Sequence, residues 1–433
     1  MRFDELTPWL FARSSRGLRW GLERTETLLA GVGDPHRHFN SLLIGGTNGK
    51  GSVAALCDGA LRARQGGRIG LYTSPHLISF AERIRIDGRP VDGEVLARAA
   101  ETLRPAIEAG GASFFEATTA IAFLVFAEAG VETAVVEVGL GGRLDATNVL
   151  QPSVAVVTNV ALDHAEYLGD EIAGIAREKA GIFKRGIPAL AGDASPEVER
   201  VLRQEAETAG AEFFALEELA AAEGIGTSAS GTRFTLKSNR WGIRSVRIPL
   251  SGAHQARNAA LAAEALGVLP ARLAPDWEHL AHGFAGVRWP GRLQIEVVGG
   301  TTFLLDVAHN PAGALSLAEA LDQLELPEPH VLVVGILKDK AWRGMIRPLT
   351  EQGRSLILTT PASAPPERRW DPEAVAAWVE ADLGAAALVV SELGAALDRA
   401  REIAGDGSVI VTGSVHTVGD AMLHLGLPVE FGA

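Results

Sequence analysis

Through the first half of the chain, short aliphatic runs alternate with longer stretches whose apolar residues recur at helical spacing. Leu42–Gly45, Ile69–Tyr72, Ala134–Val138 and Val154–Thr158 are short and apolar at consecutive positions, which predicts strands covered on both faces. Lys50–Arg64, Val95–Glu108, Ala117–Ala129 and Ile172–Phe183 carry the helical period. Strands and helices in this alternation predict a parallel sheet wrapped by helices. Between Gly226 and Leu250 the pattern changes: Thr232–Leu236 and Ser245–Ile248 alternate polar and apolar residues between polar turns, so a small antiparallel sheet is expected at the end of the first domain. A helix over His254–Leu266 follows, and then Val287-Arg288-Trp289-Pro290-Gly291-Arg292, where Pro and Gly break any regular element. The boundary is placed there, dividing the chain into residues 1–288 and 289–433. Beyond it Thr302–Asp306, Val331–Gly335, Ser355–Leu358, Ala387–Val390 and Ser408–Val411 restart the alternation as a smaller, Rossmann-like α/β sheet. The Pro-containing stretch Thr360–Pro366 reads as a loop.

With 433 residues, 47% of them hydrophobic and 21% charged, the composition is that of a multidomain globular α/β enzyme. The net charge of -13 argues against a protein that tracks nucleic-acid backbones, which needs clustered Lys and Arg. Cys57 is the only cysteine, so no internal disulfide can form and a reducing, cytoplasmic compartment is expected; in its apolar helical setting it reads as a core residue. Met1–Leu10 carries Asp4 and Glu5 and no long apolar run, and no stretch reaches the ~18–20 apolar residues of a spanning helix, so no membrane association is expected. The chain is read as a monomer.

Candidate chemistry enters at Ser41-Leu42-Leu43-Ile44-Gly45, an apolar strand that runs into Gly46-Thr47-Asn48-Gly49-Lys50-Gly51-Ser52 and then a helix. Glycines let backbone N–H groups approach phosphate oxygens, the helix start adds its positive dipole end, and Lys50 supplies a cation to the outer phosphates. Gly49, Lys50, Gly51 and Ser52 are therefore read as nucleotide-contacting. The spacing is one residue shorter than the common G-x-x-x-x-G-K-[ST], and Gly51 stands where Ser or Thr usually follows the Lys, which leaves the usual hydroxyl contact to Mg²⁺ without its residue.

Gly46–Ser52 resembles the phosphate loop of the Mur ligase superfamily, and with Thr73-Ser74-Pro75-His76-Leu77 it is similar to the folate branch, dihydrofolate synthase and folylpolyglutamate synthase. Ordered matches continue through Glu137–Asn148, Leu162-Asp163-His164, Glu178-Lys179-Ala180-Gly181-Ile182, Trp289-Pro290-Gly291-Arg292, Asp306–Pro311 and Thr412–Thr417. The resemblance implies ATP-dependent ligation: ATP phosphorylates a substrate carboxylate, the amine of L-glutamate attacks the acyl phosphate, and phosphate leaves. It also implies two Mg²⁺ sites and allows a monovalent cation.

Glu137 ends an apolar strand beside the one that carries the phosphate loop, a place where a hard carboxylate ligand suits Mg²⁺. By the resemblance Ser74 joins it, supplying the hydroxyl that Gly51 lacks. His164, alone an ordinary loop histidine, is implied as a ligand of the second ion. Lys179 in Arg177-Glu178-Lys179 looks like part of a solvated face; the resemblance implies that it is carbamylated and helps hold that ion. Asn258 matches a nucleotide-contacting position, Arg292 would reach back to the phosphates, and Asp306 would orient the ribose; plainer roles are a helix-start residue, a surface Arg and a cap of the helix near Pro311. Lys50, His164, Lys179 and His309 are the catalytic candidates. His309, Ser414 and His416 are assigned to the cleft for glutamate, and Lys338-Asp339-Lys340 lies on a strand-to-helix turn.

On the acceptor side, Ser113, Leu144 and Asp145 correspond to dihydropteroate-contacting positions, and Phe114-Phe115 could face a flat pterin or simply fill the core. Gly21–Arg24 matches the family, whereas Arg19 replaces an acidic residue. Dihydropteroate and reduced folates both stay open as acceptors: a bifunctional dihydrofolate synthase/folylpolyglutamate synthase, a monofunctional folylpolyglutamate synthase, or another Mur-type ligase such as a muropeptide ligase. A nucleotide switch is the reading outside this class; it has no need of Glu137, His164 and Lys179 together.

Overall fold

The computed structural model describes residues 1–13, 20–64, 66–350 and 354–431. The first sheet is built from β1 (Asn40–Gly45), β2 (Arg68–Tyr72), β3 (Ile84–Ile86), β4 (Arg89–Pro90), β5 (Val131–Glu137), β6 (Val154–Asn159), β7 (Pro188–Asp193) and β8 (Glu212–Ala215), in the spatial order β4-β3-β2-β5-β1-β6-β7-β8. Strands from β2 to β8 along this order run parallel, and β3 and β4 complete one edge antiparallel. Period two along the central strands buries successive residues on opposite faces: Leu43, Val136 and Ala155 enter the core on one face, and Leu42, Ile44, Val135 and Val156 the core on the other.

The second sheet, β9 (Ala220–Ser228), β10 (Gly231–Ser238) and β11 (Gly242–Ile248), is a three-stranded antiparallel meander. Its Phe234, Leu236, Val246 and Ile248 share a core with the helix Ala253–Gly267. The third sheet holds β12 (Gln294–Val298), β13 (Thr301–Leu305), β14 (His330–Val334), β15 (Ser355–Leu358), β16 (Ala387–Val389) and β17 (Ser408–Thr412), in the order β12-β13-β17-β14-β15-β16. Only β12 is antiparallel, and the sheet has its own core on each face.

One consequence of the parallel arrangement positions the site. The segments that leave β1, β2, β5 and β6 all emerge from the same edge, and these are Gly46–Gly49, Thr73–Leu77, Val138–Gly142 and Val160–His164. Among the described residues no helix is long and apolar enough to cross a membrane.

Candidate functional site

The helix Lys50–Ala63 begins at Gly49, and no side chain caps it. Its N-terminus is thus open to an anion. The loop in front is fixed from β6: Thr47 N–H donates to the Asn159 carbonyl at 2.9 Å, Asn48 N–H to Asn159 Oδ1 at 2.9 Å, and Thr158 Oγ1 donates to the Asn48 carbonyl at 2.7 Å. Lys50 Nζ folds onto the loop carbonyls of Gly46 and Thr47 at 3.2 and 3.0 Å. Asn258 lies close enough that a Cβ on Gly49 would stand 2.7 Å from its Oδ1, and Ser52 accepts from Gln255 Nε2 at 3.3 Å. The glycine at position 51 also has a cause: a Cβ there would meet Trp289 Cζ2 at 2.8 Å, so the hinge tryptophan occupies the space a Ser or Thr would need.

Glu137 is buried at the end of β5, in register with Ile44, and its Oε2 accepts the Ser74 N–H at 3.0 Å. Burial raises its carboxyl above the usual range, opposed first by Lys50 and also by Arg292 and Arg83. A buried carboxylate held up in this way gains by meeting a divalent cation, so Ser74 and Glu137 fit a hard metal. Among the described residues no group of three or more His, Cys, Asp or Glu side chains is arranged to hold a metal ion by itself. The rest of a coordination shell would therefore come from hydroxyl, phosphate and water oxygens, as is usual for Mg²⁺.

Lys179 does not lie on a solvated face. It is 4% exposed on the helix Ile172–Ala180, where Ile175, Ala176, Lys179 and Ala180 form the buried stripe, and it donates to the Gly46 carbonyl at 2.8 Å. Burial, then the charge of Lys50, brings its amine down to about 7. His164 stands in the left-handed region at φ 54°, and burial followed by Lys340 lowers its imidazole to about 4, leaving the neutral ring that a metal binds.

Asp163 is the residue at this centre that sequence reading left without a role. Its Oδ1 accepts from Lys340 Nζ at 2.8 Å and its Oδ2 from Asn310 Nδ2 at 3.0 Å, with His309 Nε2 3.5 Å away. Burial would raise this carboxyl, but the hydrogen bond from His309 and the charges of Lys340 and His164 hold it far below the usual range. Asn310 also donates to Asn48 Oδ1 at 2.9 Å, tying the second half directly to the phosphate loop. A carboxylate beside a histidine, matched by a lysine on a strand-to-helix turn elsewhere, was the available signal.

Other candidates lie apart. Asp306 accepts the N–H groups of Leu293 and Ala308, both at 2.9 Å, and it is Asn310 that caps the helix Pro311–Gln323. Arg292, near Asp306 and within electrostatic reach of Glu137, is half-buried. Ser414 is buried as the cap of the helix Val415–His424, and His416 faces Ser363 Oγ at 3.0 Å, so neither joins His309 at Asp163.

Ser113 caps the helix Phe114–Glu128 in a reciprocal pair with Glu116, and Arg24 Nε locks that Glu116 at 2.9 Å. Asp145 is turned inward, accepting from Leu140 N–H and from the Thr147 N–H and hydroxyl, while Leu144 beside it is half-buried. Phe114 stacks on Phe11 with centroids 5.0 Å apart, and Phe115 packs against Tyr72. Arg19 falls outside the described residues.

Residues 44–266 match the Mur ligase middle domain and residues 291–415 the Mur ligase glutamate ligase domain. A Bacillus subtilis dihydrofolate synthase/folylpolyglutamate synthase is 35% identical over 80% of this chain and 82% of its own length. A Haloferax volcanii protein described as a probable bifunctional folylpolyglutamate synthase/dihydropteroate synthase is 36% identical over 97% of this chain, which spans about half of that protein's length, 50%. A Mycobacterium tuberculosis folylpolyglutamate synthase solved with ADP superposes with a TM-score of 0.90 at 34% identity over 98% of both chains. Sheet order, phosphate loop and these likenesses agree: the chain belongs to the dihydrofolate synthase/folylpolyglutamate synthase family of Mur ligases.

Proposed function

We propose that this chain joins L-glutamate to dihydropteroate, to the γ-carboxylate of a reduced folate, or to both, as an ATP-dependent ligase acting through an acyl phosphate. The observation that carries this reading is convergence on the phosphate loop. Lys50 and Lys179 both donate to the Gly46 carbonyl, at 3.2 and 2.8 Å, Glu137 stands in register with Ile44 on the neighbouring strand with the Ser74 N–H on its carboxylate, and Asn310 of the second half donates to Asn48 at 2.9 Å. A site that only held nucleotide would need the loop and the helix start; a site for phosphoryl transfer to a carboxylate needs this added set.

Residues 1–288 form the ATP-binding unit and residues 289–433 the glutamate-ligase unit. Lys50 and the N–H groups of Gly49–Ser52 hold the phosphates, Asn258 stands beside them, and Arg292 and Asp306 close from the second unit. Ser74 and Glu137 would hold one Mg²⁺, and His164 with Lys179 as its carbamate a second. When bound, the ions would neutralise charge on the transferring phosphoryl oxygens. The acceptor carboxylate takes the terminal phosphoryl group, and the glutamate amine then displaces phosphate. His309, beside Asp163, lines the cleft for glutamate without Ser414 and His416, while Ser113, Leu144 and Asp145 border the acceptor. The enzyme works as a cytoplasmic monomer.

The test is ADP release with ATP, Mg²⁺ and L-glutamate, comparing dihydropteroate with tetrahydrofolate. Glutamate-dependent ADP with at least one acceptor is expected. None with either acceptor sinks the ligase reading, and activity with one alone fixes the acceptor.

A further inference from the structure

Trp289 lies on the connection between the two halves with one edge against Gly51 in the first turn of the phosphate helix. Its other side is closed by a stack drawn from distant parts of the chain. Arg85 of β3 is 3% exposed, and its guanidinium lies 4.7 Å from the Trp289 ring centroid and 3.7 Å from that of Phe431. Phe431 in turn meets Trp289 at 5.9 Å. Arg85 Nη2 also donates to Thr73 Oγ1 at 3.2 Å, next to Ser74.

Phe431 reaches this stack on a segment that starts in the second half. After the helix Val415–His424, Leu427 and Val429 pack on the core of the third sheet, Glu430 pairs with Arg288 of the connection, and Phe431 lands on Arg85 of the first sheet. Arg85, Trp289 and Phe431 thus touch one another pairwise, and a desolvated guanidinium held by two aromatic rings loses hold of one when the other is removed. We propose that Phe431 is a positioning residue: by closing the Arg85–Trp289 stack it fixes the connection against the phosphate helix and so sets how the second half seats over bound nucleotide. The loop itself is braced separately by Asn159 and Thr158, so nucleotide affinity does not depend on Phe431. The catalytic readout below rests on the ligase reading; the proteolysis readout does not.

The experiment uses the full chain carrying Phe431→Ala or Phe431→Tyr. Trypsin cleavage at Arg288 and Arg292 should be about fivefold or more faster in Phe431→Ala and within about twofold of the parent in Phe431→Tyr. In the ADP-release assay kcat should fall about tenfold in Phe431→Ala, with the dissociation constant of a non-hydrolysable ATP analogue changed less than about threefold and Phe431→Tyr restoring kcat. Parent-like cleavage in Phe431→Ala overturns the proposal, as does a kcat loss matched by an equal loss of nucleotide affinity, or a loss that Phe431→Tyr fails to restore. Should the parent itself release no ADP, the ligase reading fails while the cleavage rates still decide the role of Phe431.

Discussion

A lysine amine near neutrality needs a physical cause, and at Lys179 the helix provides it. The residue falls on the buried stripe with Ile175, Ala176 and Ala180, and Lys50 lies close by, so the charged form is disfavoured by burial and by a like charge. At pH 8 most of the amine is neutral and able to take up CO₂. Lys179→Ala is therefore expected to lose ligation by at least about a hundredfold while still binding ATP, measured as kcat against nucleotide affinity; near-normal turnover would remove the carbamate from the mechanism. The stripe was legible from spacing at positions 175, 176, 179 and 180, but adjacent Arg177 and Glu178 disguised it as a charged face. His254 gives a pH prediction of definite sign. Burial, then Arg292 and Arg257, lowers its imidazole to about 4. Between the ordinary value near 6.5 and that value the unfolded chain binds a proton that the folded chain refuses, so this contribution to stability is full above pH ~6.5 and is lost on acidification, by up to about 1.4 kcal/mol per pH unit. Urea midpoints followed from pH 7 to pH 4.5 should fall less steeply in His254→Gln than in the parent, and equal slopes would show that the ring is not held neutral.

Among the elements, the helix Phe114–Glu128 is buried at every position from Glu116 to Phe126, so it behaves as a core rod rather than a surface helix. Phe123 is fully buried there, in edge contact with Phe39 and Tyr72. Phe123→Ala should cost about 3–5 kcal/mol, read from the urea midpoint at constant slope; a loss below about 1 kcal/mol would mean the site collapses around the gap. Such long or strongly apolar elements were legible in the sequence: the phosphate strand, the helix after it and the central strands fall where the pattern puts them. What was not legible is instructive. β7, with Pro188, Ala189, Ala191 and Gly192, has little intrinsic strand preference and is a strand because β6 and β8 flank it. The two-residue β4 is too short to carry a period, and β12 is an antiparallel edge that only the finished sheet specifies. Strand order itself depends on contacts between distant segments, and those also decide which loops share the catalytic edge.

At the scale of the whole molecule, the two halves meet at a charge cluster that a linear motif could name but not assemble. Asp163 comes from the loop after β6, and Lys340, His309 and Asn310 come from two loops of the third sheet. Both ends of the Asp163–Lys340 pair are buried, with side chains 8% and 9% exposed, so water screens it little. Lys340→Met removes the partner and leaves a buried carboxylate with weaker neighbours. The expected cost is about 2–4 kcal/mol, below the worst case for a stranded charge because Asn310 and His309 still face Asp163. Since the depressed Asp163 carboxyl contributes stability above its ordinary pKa and loses it as pH falls, the parent and Lys340→Met should converge in stability toward acid and differ most at neutral pH. The same substitution should lower kcat by about tenfold or more with little change in ATP affinity, because the phosphate loop keeps its braces from β6 while the second half loses its seat. Adding Asp163→Asn to Lys340→Met should then cost much less than the sum of the two single changes, as two partners of one contact require. Additive losses would mean that the lysine and the carboxylate act separately, and that closure of the two halves is held elsewhere.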